Sequence, residues 1–284
     1  MSLFERPQES AAIPVVMPAT LSPEDAEALA RAVDQLEHKS FATRLANALG
    51  HEIERVGRMV PPNISNIVDR AGESAMRVAF NTALRTLKPK GSTDQRVAHK
   101  AVATLSGTVG GAFGLPALPV ELPFSTMVML RSIAAIARSS GEDLSQPEAA
   151  LACLQVFALG TGKENQLALE SSYFSVRSVL AKSVSEAARF MVKRGLADEG
   201  APVIVRLMSQ IATRFGVVVS QKVAAQAVPV IGAAGGAAVN YAFINHFQSI
   251  AEGHFTVRRL ERIYGPQIVR AEYDRLLAEK HVKN

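Results

Sequence analysis

Apolar residues recur every three or four positions along most of the chain after residue 20, with polar residues between them. Between residues 41 and 60, for example, Leu45, Leu49, Ile53 and Val56 fall on one face of a helix. The pattern predicts an all-α, multi-helix bundle. Its helices are expected near residues 23–39, 41–60, 64–87, 124–139, 146–159, 164–192, 201–222, 223–252, 256–263 and 266–280.

Proline and glycine mark several of the predicted helix boundaries. Ser22-Pro23 places a capping hydroxyl before a proline that fits a first helical turn. Gly141 is expected to end one helix, and Gly265-Pro266 to end one and begin the next. The N-terminus shows no apolar segment typical of a secretory signal. We therefore expect a mobile tail over 1–20, one helical domain over 21–284, and a cytoplasmic location that includes the inner face of the membrane.

Two apolar stretches contain glycine at four-residue spacing. Residues 101–120 carry no charge, and Val223–Ala251 has only Tyr241 and His246 as titratable side chains. Glycines four apart share a helix face and let two backbones approach closely. Both stretches are long enough to span a bilayer, but their prolines and small residues favour core helices, with inserted hairpins as the alternative. The residues assigned to this structural motif are Gly110, Gly114, Pro116, Pro123, Pro229, Gly232, Gly236 and Asn240.

Composition excludes a disordered chain. Of the 284 residues 48% are hydrophobic, and the mean hydropathy of +0.12 is rather apolar for an ordinary soluble protein. Cys153 is the only cysteine, which excludes an internal disulfide framework and a cysteine-rich zinc site. Because its neighbours are apolar, we expect Cys153 to be a small buried hydrophobic residue.

No motif supports catalysis or cofactor binding. Gly160-Thr161-Gly162-Lys163 resembles a phosphate loop, but Phe157 and Glu164 stand where that loop needs glycine and a Ser or Thr. A helix end followed by a turn is expected instead. The six histidines form no short metal-binding spacing and are expected at the surface or at caps. We therefore expect no catalytic residue, no metal and no cofactor, and the sequence favours a non-enzymatic protein.

Glu121 is the only charged residue between 101 and 130. A buried carboxylate needs a partner, and Arg131 is the nearest cation along the chain. On that interpretation Glu121 is a polar anchor or a ligand contact at the tip of a helical hairpin. The alternative is an exposed carboxylate in a turn, or a cap on the helix that begins near Phe124.

Basic residues flank the second apolar stretch. The net charge is +5, and cations outnumber acids both from Arg177 to Lys222 and after Thr256. Basic segments beside an apolar helix suit an anionic membrane surface, although ordinary solvated helix faces would show the same pattern. Scattered cations and few aromatic residues argue against nucleic-acid binding. The candidates for lipid or partner binding are Glu121, Arg131, Arg258, Arg259 and Arg262.

Three motifs together resemble the EcsC family. Gly114-Leu115-Pro116, then Glu121-Leu122-Pro123 and the helix with Arg131, Ile133 and Ile136-Ala137, are similar to its glycine-rich core motif. Pro229 to Ala233 with Gly236 and Asn240 resembles its second motif, and Phe255 to Gly265 its C-terminal part. The likeness covers roughly residues 40–270. Ala117 replaces a family glycine, Glu121 replaces an aspartate, and Ser139-Ser140-Gly141 replaces Tyr-Gly.

The resemblance implies a bacterial protein encoded beside an ABC transporter, and it implies no defined chemistry. Our first hypothesis is a non-enzymatic peripheral membrane protein that assists transport or envelope maintenance, with an anionic membrane surface and a transporter or other protein as partners. The second is a soluble helical enzyme, such as a hydrolase, with Glu121 in a cleft. The third is a helical scaffold that binds a protein partner through an apolar groove.

Overall fold

The computed structural model describes residues 20–37, 41, 62–86, 118–161, 173–194, 201–226 and 232–283. All regular secondary structure within these ranges is helical, which confirms the predicted all-α bundle. The eight helices are α1 (Pro23–Leu36), α2 (Pro62–Thr86), α3 (Leu118–Ser139), α4 (Pro147–Leu159), α5 (Tyr173–Arg194), α6 (Pro202–Gln226), α7 (Gly232–Tyr264) and α8 (Pro266–Lys283). Residues 1–19 of the tail predicted over 1–20, most of the helix predicted over 41–60 and residues 101–117 of the first apolar stretch lie outside the described residues.

Helix α4 lies at the centre of the described structure. Every residue from Ala149 to Leu159 is buried, and the helix contacts α2, α3, α5, α6 and α7. A helix that is apolar on all sides is stable only when other helices surround it. Cys153 lies in this helix, and burial raises the pKa of its thiol to about 12. The predicted buried position of Cys153 is therefore confirmed.

Phenylalanine rings join α4 to its neighbours. The ring of Phe157 on α4 lies 5.2 Å from that of Phe215 on α6 and 5.3 Å from that of Phe247 on α7, between centroids. Phe243, one turn earlier on α7, meets Phe247 edge-on at 5.3 Å. All four side chains are fully buried. Such aromatic pairs contribute about 0.5–1.5 kcal/mol each beyond their buried area, so the cluster fixes how α4, α6 and α7 pack.

The predicted helix ends are confirmed where they depend on capping residues. The Ser22 hydroxyl accepts a hydrogen bond from the backbone N–H of Asp25, and Pro23 opens α1. Gly141 and Gly265 both adopt positive φ, at 81° and 88°, just after helices α3 and α7. This left-handed conformation ends a helix without strain when the residue is glycine. Gly160 follows α4 as its C-cap, as predicted.

Four predicted helix boundaries are wrong. Helix α1 ends at Leu36 instead of near Lys39. Helix α3 begins at Leu118 instead of near Phe124, because the first-turn position of Pro119 needs no N–H donor and Pro123 removes only one backbone bond. Helix α6 continues through Gln226, so the loss of charge after Lys222 marks burial and not a helix end. The predicted segments 223–252 and 256–263 are joined in α7.

Gly253 lies inside α7 because α1 approaches it closely. A Cβ atom at this position would lie 2.8 Å from Cγ of Leu36 and 3.2 Å from the carbonyl oxygen of Ala32. Glycine therefore allows close packing between the helices instead of ending α7. The contact brings α1 against the longest described helix, which has 33 residues.

We expect Gly253→Ala to lower the free energy of unfolding by roughly 1–2 kcal/mol, because crowding against α1 outweighs the gain in helix propensity. The control is Gly216→Ala on α6, where an added Cβ would meet nothing within 4 Å. The free energy of unfolding of that variant should rise by about 0.5–1 kcal/mol. Urea unfolding of both proteins measures the difference, and equal gains would contradict a close contact between α1 and α7.

Candidate functional site

A buried ion pair joins helices α3 and α6. Glu121 lies in the first turn of α3, and Lys222 lies near the C-terminal end of α6. The Lys222 ammonium nitrogen is 2.6 Å from a carboxylate oxygen of Glu121. The Lys222 side chain is fully buried, and that of Glu121 is 7% exposed. The carboxylate that stood out in the sequence is therefore a buried polar anchor, and its partner is Lys222 instead of Arg131, which is exposed.

Helix α7 completes the surroundings of the Lys222 ammonium. The side-chain oxygen of Asn240 accepts a second hydrogen bond from it at 3.1 Å. The nitrogen also lies 4.7 Å from the centroid of the Phe243 ring, on the same helix. A lysine ammonium has three N–H donors and is attracted to the face of an aromatic ring. Two oxygens and one ring thus replace water around the charge, and they come from two helices other than α6.

The chemistry open to this cluster is limited by its burial. Burial lowers the pKa of Lys222, while the nearby Glu121 carboxylate acts in the opposite direction. The ammonium is fully enclosed, so a substrate from solvent cannot reach it in this conformation. The arrangement holds helices α3, α6 and α7 together and offers neither an exposed nucleophile nor an exposed base. We call Glu121, Lys222, Asn240 and Phe243 the junction cluster.

A second buried polar group lies between α5 and α7. The Tyr173 hydroxyl is 2.9 Å from Nδ1 of His254, and both residues are buried. Arg177, one turn along α5, donates to Tyr173 and forms two hydrogen bonds with Glu261, at 2.8 and 2.6 Å. Within the described part of the chain, Nε2 of His254 has no hydrogen-bond partner.

Electrostatics keep His254 neutral. Burial is the main cause that lowers its pKa well below the ordinary histidine value, and Arg177 and Arg258 add repulsion of the protonated form. Burial also raises the pKa of Tyr173 to about 12, so its hydroxyl keeps its proton. The Glu37 carboxylate extends the group, because it accepts from the backbone N–H of Tyr173 and from the Tyr273 hydroxyl, both at 3.0 Å.

The three C-terminal arginines proposed for lipid binding have partners inside the protein. Arg258 forms two 2.9 Å hydrogen bonds with Glu142, and Arg262 also bonds this carboxylate. Arg259 contacts Asp25 at 2.8 Å. Although burial raises the pKa of Glu142, the two arginines hold it below its ordinary value. These arginines connect α7 to α1 and to the turn after α3.

Three further cations after residue 256 are paired as well. Arg270 bonds Asp274, Arg275 bonds Glu272 and Glu279, and Lys280 bonds Asp34. The excess of basic residues counted in this segment is therefore matched by carboxylates that the fold brings close, two of them from α1. Counting charges along the sequence could not predict these pairs, because Asp25 and Asp34 lie more than two hundred residues from Arg259 and Lys280, the cations that they contact.

Other predicted residues have mixed outcomes. Pro123 lies inside α3, and Gly232, Gly236 and Asn240 lie in α7. Gly110, Gly114, Pro116 and Pro229 lie outside the described residues. His246 and His254 are buried on α7 and not at the surface, and only His246 fits the cap alternative, because its Nε2 lies 2.8 Å from the carbonyl oxygen of Gly160, the C-cap of α4. Within the described ranges, no group of three His, Cys, Asp or Glu side chains could hold a metal ion.

Sequence reasoning missed Lys222, Tyr173 and Arg177. Lys222 was counted with the basic surface residues of 177–222, yet it is the last charged side chain before the long uncharged stretch. That position was a usable signal, because a cation at the edge of an apolar helix pair needs an anion, and Glu121 stands alone in the other apolar region. Tyr173 and Arg177 gave no comparable signal.

We expect Lys222→Met to lower the free energy of unfolding by about 3–5 kcal/mol, because it leaves the Glu121 carboxylate buried without a cation. The double variant Lys222→Met/Glu121→Gln removes both charges and should recover most of that loss. Urea unfolding of the wild type, both single variants and the double variant gives the coupling free energy. Additive losses would show that the two side chains do not interact.

The neutral His254 predicts a pH dependence of stability. Because its folded pKa is depressed, the unfolded chain binds a proton that the folded chain does not, so this contribution is lost as pH falls below about 6.5. His254→Gln should remove a slope of stability against pH that begins near pH 6.5 and approaches about 1.4 kcal/mol per pH unit as the pH falls further. Denaturant unfolding at several pH values compares the slopes of the two proteins. Parallel curves would mean that folding does not lower the pKa of His254.

Comparison with known proteins agrees with the motifs found in the sequence. A model of the EcsC protein family matches residues 23–260, from the start of α1 to the last turns of α7, and includes the whole junction cluster. No curated protein and no solved structure matches the chain. The matched region begins earlier than the likeness expected from residue 40, and it ends before α8. Since it covers most of the sequence, the chain belongs to the EcsC protein family.

Proposed function

We propose that this chain is a non-enzymatic protein of the membrane surface that assists transport or envelope maintenance. The observation that supports this best is the incomplete burial of its most apolar long helices. Within the described residues, Pro119–Ser139 and Pro202–Ala225 are long and apolar enough to cross a bilayer, each with a hydropathy of 1.4. In an apolar window of 18 residues, 50% of the residues of the first segment and 33% of those of the second are buried.

Burial matters because a core helix of a soluble protein can have the same length and composition. Such a helix hides its apolar residues against other helices, as α4 does. Helices α3 and α6 differ from α4, because many of their residues are only half-buried and each exposes one large apolar side chain, Val120 at 78% and Val205 at 51%. Exposed apolar side chains on a long apolar helix favour contact with a partner or a membrane.

The buried polar groups favour a non-enzymatic role over the hydrolase alternative. An enzyme needs an accessible nucleophile, base or electrophile near its substrate. In this fold Glu121 is bonded to Lys222, and His254 is fully buried beside Tyr173. These groups stabilise helix contacts, and none of them faces solvent.

The test is co-sedimentation of the full chain with vesicles of phosphatidylglycerol and phosphatidylcholine, and with vesicles of phosphatidylcholine alone, at low and high salt. We expect binding to the anionic vesicles that weakens as salt screens the cations. Binding that survives high salt and yields only to detergent would indicate insertion of apolar helices. If the chain sediments with neither vesicle, the proposal of a membrane role is wrong.

A further inference from the structure

We infer that the outer face of α3 is the surface that contacts the membrane, and that its partner is an anionic bilayer. This inference rests on the proposed function and assigns it to one helix face. Val120, Phe124, Met127, Arg131 and Arg138 follow one another at three-, four- and seven-residue steps, so they form one stripe along the helix. Val120 is 78% exposed, Phe124 and Met127 are half-buried, and both arginines are exposed.

The charges on α3 are arranged for an anionic partner. The helix contains a single acidic residue, Glu121, which is not part of the stripe and is buried in the junction cluster. Arg131 and Arg138 have no carboxylate partner within the described residues. The outer face is therefore apolar toward its N-terminal end and only positive toward its C-terminal end. A helix in the membrane interface places apolar residues among the lipid chains and arginines at the phosphate groups.

Helix α7 also carries an exposed aromatic residue next to a member of the junction cluster. Val120 directly precedes Glu121, and Tyr241 directly follows Asn240, so both lie beside the junction cluster. Tyr241 is 73% exposed. Tyrosine is enriched at membrane interfaces because its ring is apolar and its hydroxyl remains in contact with water. Two of the most exposed large apolar side chains thus lie next to the buried ion pair.

Other basic surfaces fit an anionic bilayer less well. Six cations after residue 256 are paired with carboxylates, as described above. Helix α5 ends with exposed Arg189, Lys193 and Arg194 and with Val192, which is 72% exposed. However, Glu148 lies in the same surface depression as Arg189 and Lys193. The stripe on α3 contains no acidic side chain, and Glu142, the first acidic residue after this helix, is bonded to Arg258 and Arg262.

The chain contains no tryptophan, which provides a direct test. Val120→Trp introduces a single fluorescent reporter at an exposed position, so it should not disturb folding. We expect its emission to shift to shorter wavelength when phosphatidylglycerol-containing vesicles are added, because the indole enters the apolar region of the bilayer. The matched control is Val192→Trp on α5, which is similarly exposed and should show no shift.

A second pair of variants tests the charges. Arg131→Gln/Arg138→Gln should weaken binding to the same vesicles by roughly 25-fold, since each cation near an anionic surface contributes about a fivefold change in affinity. Arg189→Gln/Arg194→Gln removes the same net charge from α5 and should change binding by much less. Circular dichroism and urea unfolding confirm that all four variants are folded.

The outcomes separate this inference from the proposed function. If the wild type sediments with anionic vesicles but only the Val192→Trp reporter shifts, or neither does, the membrane role stands and the assignment to α3 is overturned. Equal losses in both arginine pairs would also overturn it, because binding would then depend on total charge. If the wild type binds no vesicle, the proposed function itself fails.

Discussion

Moving a lysine ammonium from water into a protein interior costs several kcal/mol, and only an anion and well-placed acceptors offset that cost. In this protein the full burial of Lys222 is possible because α3 supplies Glu121 and α7 supplies Asn240 and Phe243. The positions of three helices are therefore tied to one nitrogen atom. The interaction also removes the only acidic side chain of α3 from the surface, so the charged side chains that this helix exposes are arginines.

The all-helical fold and several helix caps could be predicted from the sequence, because they depend on residues that are close together along the chain. The hydroxyl of Ser22, the positive φ of Gly265 and the proline after it act within one helical turn. The errors arose where tertiary contacts decide. The helix end predicted near residue 252 is wrong, because Gly253 lies inside α7 and allows α1 to approach it. The helix start predicted near Phe124 is also wrong, because Pro119 and Pro123 belong to the first two turns of α3.

The candidate site could likewise be predicted only in part from the sequence. Glu121 could be singled out because it is alone in a long uncharged region, and the need for a buried partner followed from physical chemistry. The identity of that partner could not be predicted, because Lys222 lies 101 residues away in sequence. Likewise, the C-terminal arginines looked like a free basic surface, and only the fold brings Asp25 and Glu142 to them. Charge counts along a sequence describe composition, whereas pairing depends on topology.

The position of α4 has a consequence for how the chain comes to be folded. Two of the helices that cover it, α2 and α3, precede it in the sequence, whereas α5, α6 and α7 follow it. During synthesis α4 therefore leaves the ribosome with part of its apolar surface bare, and it stays so until α7 has been made. Over that interval the nascent chain depends on a chaperone or on transient contacts to avoid aggregation. The native structure can therefore form only late in translation, when all the helices that cover α4 have been made.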